Sequence, residues 1–141
     1  MAGIRTRARG QALQMLYALD VGGGAEPDPT LAATRESFDI GVESEGDAFA
    51  EGIVENARQH SSEIDEELQG ASRNWRLERM STVDRNILRL ATAELMYDES
   101  VPTKVVINEA IELAKRFGTT ESPAFVNGIL DRVAAKVREQ N

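Results

Sequence analysis

The sequence predicts an all-α protein, a compact bundle of about seven helices, and three observations carry that prediction. Apolar residues recur at spacings of three and four along the chain, no segment sustains a period-two alternation, and Ser, Gly and Pro fall where helices start and stop. With 141 residues and no cysteine, the chain has the size of one domain held by its core rather than by disulfides. The expected helices cover residues 6–19, 30–39, 47–60, 62–70, 76–97, 103–117 and 123–138.

The first helix places Ala8, Ala12, Met15, Leu16 and Leu19 on one face, the expected core stripe. Leu13 and Tyr17 share a different face, one turn apart. Two readings of that face stand: contact with a second helix, or an exposed aromatic anchor for a protein partner. Arg5, Arg7 and Arg9 precede or open this helix with no acid nearby in sequence. They read either as solvated surface or as a mobile basic arm suited to phosphate oxygens.

The stretch "DVGGGAEPDP" is the expected loop. His60, the only histidine, falls near a helix end among polar residues and reads as a solvated cap. In the fifth expected helix, Ser81-Thr82-Val83-Asp84 resembles a capping box, although the apolar pattern could begin as early as Arg76. Val83, Ile87, Leu90 and Ala91 form its buried stripe, and Glu94 falls within that stripe. A buried carboxylate needs partners; the expectation is backbone N–H groups near Thr103, at the start of the next helix. Asp84, Arg85 and Arg89 lie off the stripe and are expected to face solvent or a partner.

In the sixth helix Ile107, Ala110, Ala114 and Phe117 form the expected core line. Lys104, Asn108, Glu112 and Lys115 make a polar face, and Glu112 is placed to pair with Arg116. The joint "KRFGTTESPAF" has a stop at Gly118 and a start at Ser122-Pro123. In the last helix Val126, Ile129, Leu130, Val133 and Val137 point to the core. Phe125 lies to one side, with Arg132 and Lys136. It reads either as a platform for an unstacked base or as packing on a neighbouring helix or an arginine stem. Glu121 reads either as a first-turn residue favoured by the helix dipole or as an acceptor for base amino groups. Asn127-Gly128 reads as a site of close helix packing, because glycine there lowers helix propensity by about 1 kcal/mol.

Charge is divided along the chain. The net charge of −8 conceals three arginines and no acid in residues 1–19, fourteen acids against two arginines in 20–70, and eleven bases against ten acids in 71–141. The total argues against nonspecific nucleic-acid binding, but binding follows local potential. One histidine and no cysteine argue against a His- or Cys-rich metal site, and His60, read as a solvated cap, is not expected to serve a Ser-His-Asp arrangement. The glycines at 22–24 lack the Gly-Lys-Ser/Thr of a phosphate-binding loop. No enzyme, cofactor or metal is expected. No run of about twenty apolar residues could span a membrane, and "LQMLYAL" is too short and polar for a signal peptide. A cytoplasmic protein is expected.

Beyond these local readings, "VDRNILRLATAELMYDESVPTKVVINEAIELAKRFGTTESPAFVNGILDRVAA" resembles the C-terminal half of the NusB family of bacterial transcription antitermination factors. "VINEAIELAKRFG" and "FVNGILD" are its most telling pieces, and "RTRARGQALQMLYALD" is similar to that family's arginine-rich opening helix. The resemblance implies two small helical subdomains, about 1–75 and 76–141, in a single RNA-binding domain. It implies an adaptor that pairs with ribosomal protein S10 and binds boxA in single-stranded leader RNA. Through the RNA polymerase antitermination complex, such an adaptor promotes transcription of ribosomal RNA operons. It also implies an RNA side made of Arg5, Arg7, Arg9, Lys115, Arg116, Glu121 and Phe125, and an S10 side made of Tyr17, Glu78 and Asp84. Thr6 interrupts the family's longer arginine run. A protein–protein adaptor or homodimer with little RNA affinity of its own is the alternative.

Overall fold

The computed structural model describes residues 3–22 and 44–138. Among them are six α-helices and no strand: α1 (Ile4–Val21), α2 (Ser44–Gln59), α3 (Ser61–Ala71), α4 (Thr82–Tyr97), α5 (Thr103–Phe117) and α6 (Ser122–Val137). The helix expected at 30–39 and all but the first three residues of the expected loop "DVGGGAEPDP" lie outside the described residues; Asp20 and Val21 instead complete α1. The helix expected from 76 to 97 is instead a 3₁₀ turn, Leu77–Arg79, followed by α4. Met80 and Ser81 are extended there, and Ser81 Oγ accepts the backbone N–H of Asp84 at 3.1 Å. The cap therefore sets the start, because it binds an N–H with no partner inside the helix.

Helix α4 is the axis of the bundle and packs against all five other helices. Its sequence explains why: Asn86, Ile87, Leu88, Leu90, Ala91, Thr92, Ala93, Glu94 and Leu95 are all buried. Burial on nearly every side, with the polar Asn86, Thr92 and Glu94 included, is what its central position requires. Around it the core continues through Met15, Leu16, Val54, Ile64, Leu68, Val106, Leu113, Val126, Leu130 and Val133. Each such Leu or Ile contributes about 1.5–3 kcal/mol by leaving water. The expected stripe of α1 is buried throughout, and Leu13 joins it at 3 % exposure. Tyr17, one turn on, stays 41 % exposed. Leu13 thus belongs to the core, whereas Tyr17 is left on the surface.

The expected line of α5 is rotated slightly. Val106, Ala110, Leu113 and Ala114 are the buried set, whereas Ile107 and Phe117 are only half-buried. At the far end, Arg138 donates to the carbonyls of Leu95 (2.8 Å), Val101 (2.7 Å), Glu94 (3.1 Å) and Asp98 (3.0 Å). One guanidinium thereby caps the end of α4 and ties down the turn that follows it.

The α5–α6 joint is tight for a reason different from a left-handed turn. Gly118 has φ −98° and ψ −164°, an extended backbone open to any residue. A Cβ there would lie 2.5 Å from Ser122 Oγ and 2.9 Å from the Ala114 carbonyl oxygen. Ser122, itself buried, uses Oγ to accept the backbone N–H of Thr119 at 2.9 Å. Gly128 is the opposite case and corrects the expectation of close packing. It is exposed, and a Cβ there would meet nothing within 4 Å.

Candidate nucleic-acid interface

The three opening arginines do not form one arm. All lie within α1, where Arg5 and Arg7 are exposed and Arg9 is buried at 4 % exposure. Arg9 Nε and Nη2 donate to the two carboxylate oxygens of Glu94, each at 2.8 Å, and Nη1 reaches Glu109 at 3.4 Å. Its guanidinium also lies 5.1 Å from the centre of the Phe49 ring, which Arg5 covers at 4.7 Å. Burial disfavours the charge on Arg9. The hydrogen bonds and charge of Glu94, with Glu109 behind them, outweigh burial and raise its pKa above the ordinary arginine value. Two expectations are corrected here. Arg9 is committed to the interior and does not present its fork outward, and Glu94 takes its bonds from Arg9 rather than from the start of α5.

Arg116 lies beside this part of α1, since a Cβ on Gly10 would stand 3.7 Å from its Nη1. Its guanidinium sits 4.9 Å over the Phe117 ring. Lys115, not Arg116, pairs with Glu112, at 3.3 Å between exposed side chains; in water such a pair contributes little. Arg116 at the last turn of α5 therefore adjoins α1 one turn from Arg7. Arg7 makes no ion pair among the described residues.

Phe125 makes its ring contact elsewhere. It meets Trp75 with ring centroids 6.0 Å apart and planes at 86°. Glu121 is exposed at the start of α6 and lies 3.5 Å from Thr119 Oγ1. The indole of Trp75, 55 % exposed, escaped the sequence reading. The available signal was the chain's single tryptophan within a run carrying Arg73, Arg76 and Arg79. Phe49 was also missed, because its role depends on α2 crossing α1.

The residues expected to meet a protein partner flank one ionic junction. Asp20, near the end of α1, accepts from Arg85 Nε at 2.7 Å, Asn86 Nδ2 at 2.8 Å and Arg89 Nη1 at 3.0 Å. Arg89 also binds Asp65 of α3 at 2.9 Å, and Arg85 donates to the Met80 carbonyl at 3.3 Å and the Leu77 carbonyl at 3.5 Å. Arg85 and Arg89 are therefore engaged internally, contrary to the expectation that they are available to solvent or a partner. The hydrogen bond from Arg85 is the main cause of a lowered Asp20 pKa. Burial opposes it, and Asn86 and the charges of both arginines assist. Tyr17 lies one turn before Asp20, Glu78 follows Leu77, and Asp84 precedes Arg85. The junction brings all three to one end of the α1–α4 pair. Glu78 is exposed, 3.6 Å from Arg76. His60 stacks on Tyr97 at 4.0 Å, so its ring is packed as well as placed at a helix start.

Comparison with known proteins matches this geometry to a family. The NusB family profile matches residues 6–135. The transcription antitermination protein NusB of Anaeromyxobacter dehalogenans is 52 % identical over 136 residues, covering 96 % of this chain and 93 % of its own. That of Geobacter sulfurreducens is 44 % identical, covering 98 % and 99 %. Among solved structures, NusB of T. maritima superposes with a TM-score of 0.87 at 33 % identity, covering 99 % of this chain and 97 % of that one. A crystal structure of the antitermination factors NusB and NusE with double-stranded RNA gives 0.85 at 28 % identity, covering 95 % and 98 %.

Proposed function

The chain belongs to the NusB family, and on that premise we propose that it is a non-enzymatic transcription antitermination factor that binds RNA together with ribosomal protein S10. The observation that carries this reading is the likeness, over nearly the whole chain, to NusB solved with NusE and RNA. NusE corresponds to ribosomal protein S10. The RNA is boxA of a leader transcript, and the outcome is read-through of ribosomal RNA operons within the RNA polymerase antitermination complex. Arg5 and Arg7 on α1, with Lys115 and Arg116 on α5, supply positive potential for phosphates. Phe125 offers a ring face and Glu121 an acceptor for base amino groups. Tyr17, Glu78 and Asp84 contact S10, whose basic surface suits the acidic middle of this chain.

Variants separate the two sides. Arg7→Ala and Phe125→Ala weaken boxA binding and leave S10 affinity near wild type, whereas Tyr17→Ala does the reverse. Equal losses from all three would report general unfolding and defeat the assignment of surfaces.

A second reading is favoured by one observation, the burial of Arg9, which leaves only two of the three opening arginines exposed. In that reading the chain is a protein–protein adaptor or homodimer with little RNA affinity of its own. Titration with boxA and scrambled single strands at several salt concentrations decides between them. Specific, salt-sensitive binding favours the first reading; weak binding without sequence preference favours the second.

A further inference from the structure

The turn between α3 and α4 holds an exposed indole on a fixed backbone. The Trp75 backbone N–H donates to the Ser72 carbonyl at 2.9 Å, and the Trp75 carbonyl accepts from Gln69 Nε2 at 2.9 Å and Ser72 Oγ at 3.2 Å. Gln69 Oε1 takes the Leu77 N–H at 3.1 Å, so one side chain staples both sides of the turn. Ser72 Oγ also reaches the Leu68 carbonyl at 2.7 Å. A residue that large, left 55 % exposed on so constrained a turn, presents its ring from a backbone that has little freedom left to lose on binding.

What surrounds the indole favours a nucleic acid strand over an apolar protein surface. Residues 73–79 hold three arginines against one glutamate. Arg132 donates to the Ala71 carbonyl at 2.9 Å, which fixes its guanidinium beside the same turn. A groove between α3 and α6 is lined by Glu67, Arg73, Arg132 and Lys136, with Lys136 3.0 Å from Glu67. Phe125, Arg132 and Lys136 lie seven and four residues apart, so they line one side of α6, and Arg132 stands ~10 Å along the axis from Phe125. Aromatic faces beside a cationic track are the two parts that single-strand binding combines.

We propose that Trp75 is a second base-stacking residue beside Phe125, and that the strand continues along the α3–α6 groove with phosphates toward Arg73 and Arg132. This rests on the RNA-binding reading above and extends it to a residue and a groove outside the expected site. The angle of 86° between the rings adds a constraint. Bases lying on the two faces cannot belong to one continuous stack, so the strand turns sharply at this pair and presents adjacent bases separately.

The test uses the full chain with S10 and single-stranded boxA RNA. Trp75→Ala weakens RNA binding by about 5- to 150-fold, the range for one lost stacking contact, while S10 affinity stays within about twofold. Trp75→Phe retains most of the affinity. Trp75 is the only tryptophan of the chain, so the emission of the wild-type complex minus that of the Trp75→Phe complex isolates it. RNA quenches that difference signal. Wild-type RNA affinity in Trp75→Ala, or an unchanged difference signal on RNA addition, overturns the inference. Loss of S10 affinity instead of RNA affinity also overturns it, by making the indole a protein contact. If Arg7→Ala still weakens RNA binding in those cases, only the assignment of Trp75 fails. A wild-type complex that binds no RNA removes both this inference and the reading beneath it.

Discussion

Arg9 of α1 grips both carboxylate oxygens of Glu94 in α4, at 2.8 Å each, with the two side chains 5 % and 3 % exposed. The pair ties the first described helix to the central one across 85 residues of sequence. It also accounts for a charge within an otherwise apolar stripe: the carboxylate is tolerated there because a planar fork satisfies both its oxygens.

Removing either partner leaves the other charged, buried and alone. Arg9→Ala or Glu94→Ala should destabilise the fold by about 3–5 kcal/mol, whereas a double replacement by apolar residues of similar volume should cost much less. Urea denaturation of the three variants measures this. An Arg9→Ala protein as stable as wild type would mean that the pair contributes nothing to folding.

Asp20 makes stability depend on acid. Its folded-state pKa lies below the ordinary carboxylate value, chiefly through Arg85, so below neutrality the unfolded chain takes up the proton first. The stabilisation is complete above the unfolded value of about 4 and is lost as pH falls through the lowered folded value. Asp20→Asn should reduce stability near pH 7 by about 1.5–3 kcal/mol and flatten the decline below pH 5. Parallel pH profiles for the two proteins would show that Asp20 is not responsible.

Two glycines should respond to alanine in opposite directions. Gly118→Ala places a methyl group against Ser122 and the Ala114 carbonyl, and should cost about 1–3 kcal/mol. Gly128→Ala, exposed inside α6 with open space around it, should stabilise by about 0.5–1 kcal/mol. Thermal melts of the pair suffice, and a destabilised Gly128→Ala protein would contradict the open surroundings found there.

The burial of Arg9 makes a prediction about salt. Arg7→Ala should lower the slope of log affinity for boxA against log salt by about 0.7, the share of one phosphate contact on a single strand. Arg9→Lys should change the slope little while lowering stability, because an ammonium cannot reproduce the two-pronged contact with Glu94. A slope that falls as much for Arg9→Lys as for Arg7→Ala would place Arg9 on the RNA after all.

Sequence alone placed five of the six described helices to within a few residues and began α4 too early, at 76, because periodicity, caps and breakers act within a few residues of one another. Ser81 marks the start of α4 through its bond to Asp84, and the stripes of α1 and α6 name core residues correctly, all from spacings of three and four. The family likeness too was legible in blocks such as "VINEAIELAKRFG", which carry order along the chain. Tertiary structure decided which charges are spent inside. Asp20 draws Arg85 and Arg89 inward from 65 and 69 residues away, and Glu94 draws in Arg9 while leaving Arg7 outside. It alone set Trp75 against Phe125, 50 positions later in the chain. A helical period fixes which way a side chain points from its own axis. What stands opposite depends on how separate helices settle against each other, and that is set by burial of the whole core.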